Sequence, residues 1–421
     1  MKILMWSDGG AHTGYGTVTE NLGRRWHQRG ADVHVLAVNY RGDPWPTPLK
    51  LYPATRNSPR DVYGVGRLRE LLERIKPDIF FVLLDLYAVA DGFQSLKRQF
   101  PLPTVLYAPI DGIRVPRAWW EAPRAADLVV AMAEHGQRVL RTEAGLEVDV
   151  LWHGVEHDAV FPASDTRPLT VWRGNTAYRV TSKDDAKALL GLKDRFVILA
   201  VNRNSVRKNY YDTFRIFDQF RRAHPDAFLY IHATPKDEGG DLTVLAERYG
   251  LTREHVWIHH AGDTFVGAPK WTLTWLYNAA DVKLSTSMAE GFGLTDAEAL
   301  ACGTPVVAQD FSATHDVVGP GGLLIKPARY FTTARMVDFA LPDLDAMYRA
   351  LERVYQDADL RATLSQKAVT HARRYNWDVT ADEFYQRFEL LLSRRQRREP
   401  GSEPLIPLSP EPFALRETRR G

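Results

Sequence analysis

Short apolar runs separated by amphipathic stretches set the rhythm of the first 150 or so residues. Runs at 2–7, 32–38, 78–85, 104–108, 128–132 and 148–152 each read as a buried strand. Between them, 17–29, 65–75 and 134–143 place apolar residues three or four positions apart, as a helix with one buried face does. Strands of this kind alternating with helices predict a parallel sheet covered on both faces. The rhythm restarts at 196–201 and continues through 228–233, 256–260, 282–287, 305–309 and 322–326. Helices are expected at 211–223, 294–302, 344–355 and 360–375. No spacing of 20–50 residues repeats, which argues against a solenoid. The fold class expected is α/β, with two doubly wound Rossmann-like domains.

The halves meet after Trp152-His-Gly-Val-Glu-His-Asp-Ala-Val-Phe-Pro162, which places a first domain at 1–162 and a second at 163–376. Residues 163–181 are polar without clear periodicity and are expected to form a loop or flap. From Arg394 to Gly421, arginine pairs mix with Pro, Ser and Glu, a composition expected to be disordered.

Composition narrows the class without choosing a function. A chain of 421 residues is long enough for two domains with sizeable cores. Its net charge of +2 advertises neither nucleic acid nor an anionic membrane. The single cysteine, Cys302, excludes an intramolecular disulfide and fits a reducing, cytoplasmic compartment. No Cys-x-x-Cys spacing points to structural zinc, and no run of 18 apolar residues is long enough for a membrane span. Because the chain opens directly on a strand, no signal peptide is expected.

Chemistry concentrates in Glu290-Gly-Phe-Gly-Leu-Thr-Asp-Ala-Glu298. A strand, a glycine turn and a helix aim free N–H groups and the helix's positive end at an anion. Glu290 precedes the turn, where a carboxylate accepts hydrogen bonds from hydroxyls, and Glu298 lies inside the helix. An anion flanked by two hydroxyl-rich groups describes a sugar nucleotide. The second patch is Asn202-Arg203-Asn-Ser-Val-Arg207-Lys208-Asn209, between a strand and a helix, where two cations suit a diphosphate. Arg207 reads as the solvated member of the group.

These two motifs resemble the donor site of retaining glycosyltransferases of the GT-B fold, specifically family 4 (glycosyl transferases group 1), and are closest in pattern to bacterial and phage-encoded members. The resemblance implies two domains facing across a cleft, with Arg203 and Lys208 clamping the donor's phosphates. It also implies that Gly291, Phe292, Gly293 and Leu294 cradle the donor, that Glu290 holds the transferred sugar and that Glu298 holds the ribose. Asn209 stands where the family more often has Gly, and His153 where the hinge more often has Asn. A helix led by Trp377, at 377–393, is expected to cross back onto the first domain.

In the first domain, Gly14-Tyr-Gly16 follows the first strand, but Thr19 occupies the third glycine position of a dinucleotide fingerprint. The second strand also lacks a terminal acid to bind ribose. NAD is therefore not expected, and Gly14 and Gly16 are assigned to approach the donor or the acceptor. His12 is a possible polar contact. Asp111 ends the strand 104–108 region and stands near where many relatives carry a His; binding sugar hydroxyls, orienting the acceptor, acting as a base and merely turning the chain all stay open for it. Trp119 and Trp120 are candidates for stacking on a sugar or for packing.

The function expected is transfer of a sugar from a nucleoside diphosphate sugar to an acceptor hydroxyl, with retention, no metal and no cofactor beyond the donor. Two alternatives are a sugar-nucleotide epimerase and a non-catalytic sugar-nucleotide-binding subunit. The acceptor is open among polysaccharide, lipid, small molecule and modified DNA base. Nucleic acid enters only as an acceptor, through a local basic surface of Arg114, Arg117 and Arg124.

Overall fold

The six apolar runs of the first half become six strands of one sheet, joined by a seventh that the pattern did not announce. In the computed structural model, which describes residues 1–259 and 268–396, these are β1 (Lys2–Ser7), β2 (Asp32–Ala37), β3 (Lys50–Pro53), β4 (Ile79–Val82), β5 (Thr104–Ala108), β6 (Leu128–Ala131) and β7 (Asp149–Val150). The order among the described residues is β3-β2-β1-β4-β5-β6-β7, with all neighbours parallel. β3 is the unannounced strand; it sits at the edge, where the N–H that Pro53 lacks is not needed by a further neighbour.

The second half begins with β8 (Leu169–Arg173) and β9 (Thr176–Val180), an antiparallel hairpin where a loop or flap was expected. Gly174-Asn175 makes its two-residue turn, with φ +58° at Gly174, and that pair is a hairpin signal in the sequence. The alternation was hard to see because one face is wet: Leu169, Val171 and Val180 are buried, while Trp172 is 50% exposed. The second sheet contains β10 (Phe196–Val201), β11 (Ala227–His232), β14 (Val256–His259), β15 (Val282–Ser285), β16 (Val306–Gln309) and β17 (Gly322–Ile325). Its order is β14-β11-β10-β15-β16-β17, again parallel throughout among the described residues. His260, assigned to that strand run, lies outside the described residues. Two short strands, β12 (Lys236–Asp237) and β13 (Gly240–Asp241), pair beside it. A last hairpin, β18 (Pro327–Thr332) and β19 (Asp338–Pro342), stands between β17 and the helix Leu344–Gln356.

Several boundaries move for local reasons. The helix expected at 17–29 begins at Gly14, because Thr13 caps it by accepting from the Gly16 N–H (2.9 Å). β4 stops at Val82, which leaves Asp85 to lead the short helix Leu86–Val89.

The helix Trp377–Gln396 lies against the first domain. Trp26 is fully buried there, donates from its indole to Ala381 O (3.0 Å) and meets Phe81, Phe384 and Phe388 edge to face. Burying aromatic side chains of this size contributes about 1.5–3 kcal/mol each. Arg387 pairs with Asp149 (2.8 Å) and the Thr380 hydroxyl donates to Trp152 O (2.6 Å). Residues 394–396, expected to begin a disordered tail, belong to this helix; the rest of that stretch lies outside the described residues. At the hinge, the Val155 N–H donates to Tyr375 O (3.0 Å), and His153 is buried between Phe292 and Trp377. Burial lowers the His153 pKa to about 3, so the ring packs there as a neutral aromatic.

Candidate functional site

Ligands of doubly wound sheets bind beyond the strand C-termini at the point where strand order reverses. In the first sheet that point lies between β1 and β4, in the second between β10 and β15. The loops after these strands and after β5 meet between the domains. The Arg207 guanidinium is the joint: its Nη1 donates to Glu290 Oε2 (2.9 Å) and its Nε lies 3.8 Å from Asp111 Oδ2. It also donates to Ala289 O. Arg207 was read as solvated, and the structure corrects this. The three-residue turn Val206–Lys208 directs both cations inward, where a buried carboxylate receives them.

Lys208 Nζ donates to Glu290 Oε1, so Glu290 carries two cations on one buried carboxylate. Burial opposes its charge, but Arg207 and Lys208 prevail and hold it well below the usual carboxylate range. The Glu290 N–H donates to Ser312 Oγ (2.8 Å), and the Met288 N–H donates to Arg207 O (2.9 Å), which ties the Glu290 loop to the cation turn. Asn209 ends that turn with φ +54°. Asn suits this position: after Gly, it is among the residues that tolerate a left-handed backbone best.

Arg203 takes a different direction from Lys208. Its guanidinium is half exposed and held by Asp237 (2.8 and 3.2 Å) and Glu238 (3.0 Å). The two expected phosphate ligands thus sit at one strand end, but the structure does not bring their charged heads onto one shared partner.

Asp111 is the carboxylate of the first domain nearest Arg207. Burial raises its pKa to about 6, with Arg207 opposing and Asp85 and Glu290 adding to the rise. Asp85 accepts from the Tyr15 hydroxyl (2.6 Å). Burial, then the charge of Asp85, pushes the Tyr15 hydroxyl far above its usual value, so it stays a donor. Sequence reasoning missed Asp85 and Tyr15; the sign available was that Asp85 closes the apolar run 79–84. Gly14 and Gly16 lie in the first turn of the helix that carries Tyr15.

On the other side of the glycine turn, Glu298 accepts from Lys270 Nζ (2.7 Å) and from the Tyr277 hydroxyl (3.1 Å). Lys270 also lies 3.3 Å from Glu156 of the hinge, and it was not anticipated, because nothing near it in the chain reveals a partner 28 residues away. Gly291 comes close to Pro109 of the first domain, and Gly293 starts the helix Leu294–Ala301 with φ +100°. Phe292, expected to touch the donor, is instead buried against Trp152, His153 and Tyr375. Its ring anchors the loop in the hinge. Leu294 is partly buried against the same core. Beneath the helix start, Lys283 and Asp296 form an ion pair with 0% and 1% residue exposure. Trp120 is buried, and Trp119 packs against Tyr87 at 5.6 Å.

Arg114 donates to Asp338 (3.1 Å) and Arg124 to Ala144 O (3.1 Å), so these two members of the basic surface are engaged by the protein itself. Cys302 is buried and free, as a core residue. Among the described residues no His, Cys, Asp and Glu cluster has the makings of a metal site, and no helix is long and apolar enough to cross a membrane.

Residues 12–159 match the family model described as Glycosyltransferase Family 4, and residues 182–370 match Glycosyl transferases group 1. A D-inositol 3-phosphate glycosyltransferase of Salinispora arenicola is 42% identical over 271 residues, which cover 60% of this chain and 54% of the relative. The chain spans about half the length of the curated relatives it matches over their longest stretches. Among solved structures, sucrose-phosphate synthase from Thermosynechococcus elongatus superposes with a TM-score of 0.70 at 18% identity, covering 94% of this chain and all of that one. Anabaena HepE, in complex with UDP and glucose, gives 0.66 at 18% identity, covering 93% of this chain and all of that one. At such identities the likeness is one of fold, and the fold is the two-domain GT-B architecture.

Proposed function

We propose, from the premise that this chain belongs to the family 4-type GT-B glycosyltransferases, that it transfers a sugar from a nucleoside diphosphate sugar to an acceptor hydroxyl. The observation that carries the reading is the convergence of Arg207 and Lys208 on Glu290, beside a helix N-terminus and facing Asp111. As the bond from the anomeric carbon to the diphosphate breaks, positive character grows on the sugar and negative charge on the leaving group. Lys208, Arg203 and the N–H groups that open the helix Leu294–Ala301 answer that negative charge, and preorganised charges of this kind act most strongly in the transition state. Glu290 holds sugar hydroxyls while anchored by its two cations. Glu298 serves the ribose, sharing its carboxylate with Lys270 and Tyr277. The acceptor oxygen bonds to the anomeric carbon with retention, and its proton passes to an oxygen of the departing phosphate. Asp111 orients the acceptor hydroxyl by accepting its hydrogen bond.

A screen of UDP-, GDP-, ADP- and dTDP-sugars with and without acceptor alcohols tests the reading. Uridine donors come first, because a structural neighbour is solved with UDP-glucose. Glycoside formed only when an alcohol is present supports transfer. Release of an isomerised nucleotide sugar without acceptor turns the assignment to an epimerase, and binding without turnover turns it to a non-catalytic subunit.

Lys208→Ala is expected to weaken nucleoside diphosphate binding by roughly ten- to a hundredfold, since a charge-assisted hydrogen bond contributes about 1.5–3 kcal/mol. Arg203→Ala should cost less, because its half-exposed guanidinium must first leave Asp237 and Glu238. Calorimetry showing unchanged affinity in both variants removes them from the site.

The acid limb of activity belongs to Asp111. Its pKa of about 6 keeps it protonated below that pH and ionised above, so transfer should rise with pH through about 6. In Asp111→Asn that limb should disappear along with most of the rate. A rate profile that keeps the limb in the variant assigns it to another group.

A further inference from the structure

The strand β19 bonds to both loops that carry the central carboxylates. The Asp338 N–H donates to Ile113 O (2.8 Å), and the Ile113 N–H returns to Asp338 O (3.1 Å). Two residues on, the Ala340 N–H donates to Met288 O (3.1 Å). Residues two apart on a strand aim their N–H groups at the same edge. One edge of β19 therefore holds Ile113, two residues after Asp111, and Met288, two residues before Glu290.

The rest of the hairpin reinforces both grips. Val337, 4% exposed, packs within the core of the first domain although it belongs to the second half of the chain. A side chain added at Gly112 would meet Val337 Cγ1 at 2.4 Å and Asp338 O at 2.7 Å, so Gly112 is required by this close approach. The Asp338 carboxylate accepts from Thr332 Oγ1 (2.7 Å) and Arg114 Nη1 (3.1 Å). Arg335 covers the Tyr87 ring at 3.6 Å, two residues from Asp85. On the other side, the Gln309 amide donates to Ala340 O (3.1 Å), and Tyr330 meets Phe311, the neighbour of Ser312, at 5.4 Å.

We propose that the hairpin Pro327–Pro342 is a brace that sets the separation of Asp111 from Glu290, with Val337, Asp338 and Ala340 as positioning residues. Moving the domains apart at this edge breaks the paired bonds to Ile113 and draws Val337 out of the first domain's core. The brace therefore resists separation of the domains at this edge. The kinetic part of this inference rests on the transferase reading above; the geometric part does not.

The test uses the full chain with Glu73→Cys and Glu247→Cys, exposed positions on the two domains, labelled for pulsed distance measurement; Cys302 is buried. The parent should give one narrow distance distribution. Gly112→Ala should broaden or shift it, and Val337→Ala, a milder change that avoids the risk of misfolding, should do so to a smaller degree. In the transfer assay, Gly112→Ala should lower kcat by about ten- to a hundredfold while nucleoside diphosphate affinity stays within about twofold, as expected for misplacement of about 1 Å at the reacting centre. Adding Val337→Ala to Gly112→Ala removes the nearer clash and should restore part of kcat. Met336→Asn, at the 65% exposed tip, should change neither readout. A native distance distribution in both Gly112→Ala and Val337→Ala overturns the brace, as does loss of kcat and nucleotide affinity together. A parent that turns over no donor overturns the transferase reading instead, while the distances still decide the brace.

Discussion

Glu290→Gln is expected to lower sugar transfer by about a hundredfold, the size of effect seen when one preorganised polar contact at a developing charge is lost. Glu290 satisfies Arg207 with one oxygen and Lys208 with the other. A glutamine keeps one carbonyl acceptor and turns an NH2 donor toward the second cation, so one of the two loses its partner and the pair shifts. The transferred sugar then loses a carboxylate acceptor held in place by two charges. Binding of the bare nucleoside diphosphate should follow a different course: Lys208, released from its counter-charge, is freer to meet phosphate, so affinity should be unchanged or tighter. Steady-state kinetics with the active donor and calorimetry with the bare nucleotide separate the two effects. Normal turnover in the variant would return Glu290 to a purely structural role.

The second large effect concerns stability. Lys283 and Asp296 form an ion pair with essentially no exposure, beneath the helix start that faces the cleft. Asp296→Ala leaves an ammonium buried without its partner, which costs about 3–5 kcal/mol when a buried pair is broken from one side. Replacing both residues with apolar ones, Lys283→Met with Asp296→Leu, should recover most of that loss, because two desolvation penalties vanish with the attraction they opposed. Urea unfolding of Lys283→Met, Asp296→Leu and the double variant measures the coupling. Equal midpoints for Asp296→Ala and the parent would mean that the buried pair contributes nothing to stability. Asp296 also sits in the first turn of the helix Leu294–Ala301, where a carboxylate favours the helix dipole, so part of the loss should appear as fraying of the glycine turn that precedes it.

The two sheets and much of the site were legible in the chain because their signals are local. The central residues of Lys2–Ser7 and all of Phe196–Val201 are apolar since parallel strands are buried on both faces, and the expected bounds match the observed ones. A strand end, a glycine turn and a helix start are consecutive in sequence, so Glu290, Gly293 and Glu298 were placed without knowledge of the other domain. Arg203 and Lys208 stood out because cations at the end of a buried strand are conspicuous, but only Lys208 reaches Glu290, while Arg203 turns to Asp237. The hairpin Leu169–Val180 could have been read from Gly174-Asn175, but its half-wet alternation left it looking like loop.

What the tertiary structure decided is which of these groups meet. Arg207 and Lys208 are neighbours in one short turn, and no local pattern says that Arg207 faces Asp111 in the other domain. Lys270 finds Glu298, Asp85 finds Tyr15 and β19 finds Ile113 across separations of 28, 70 and more than 200 residues. Phe292 packs into the hinge because two separate segments, Trp152-His153 and Tyr375, form an aromatic socket there. Periodicity, turn chemistry and helix starts depend on a few adjacent residues, so the sequence by itself determined two doubly wound domains and the motifs at their strand ends. Ion-pair partners, burial and the reach of a hairpin depend on how those domains pack, and packing is settled only when the whole chain has folded.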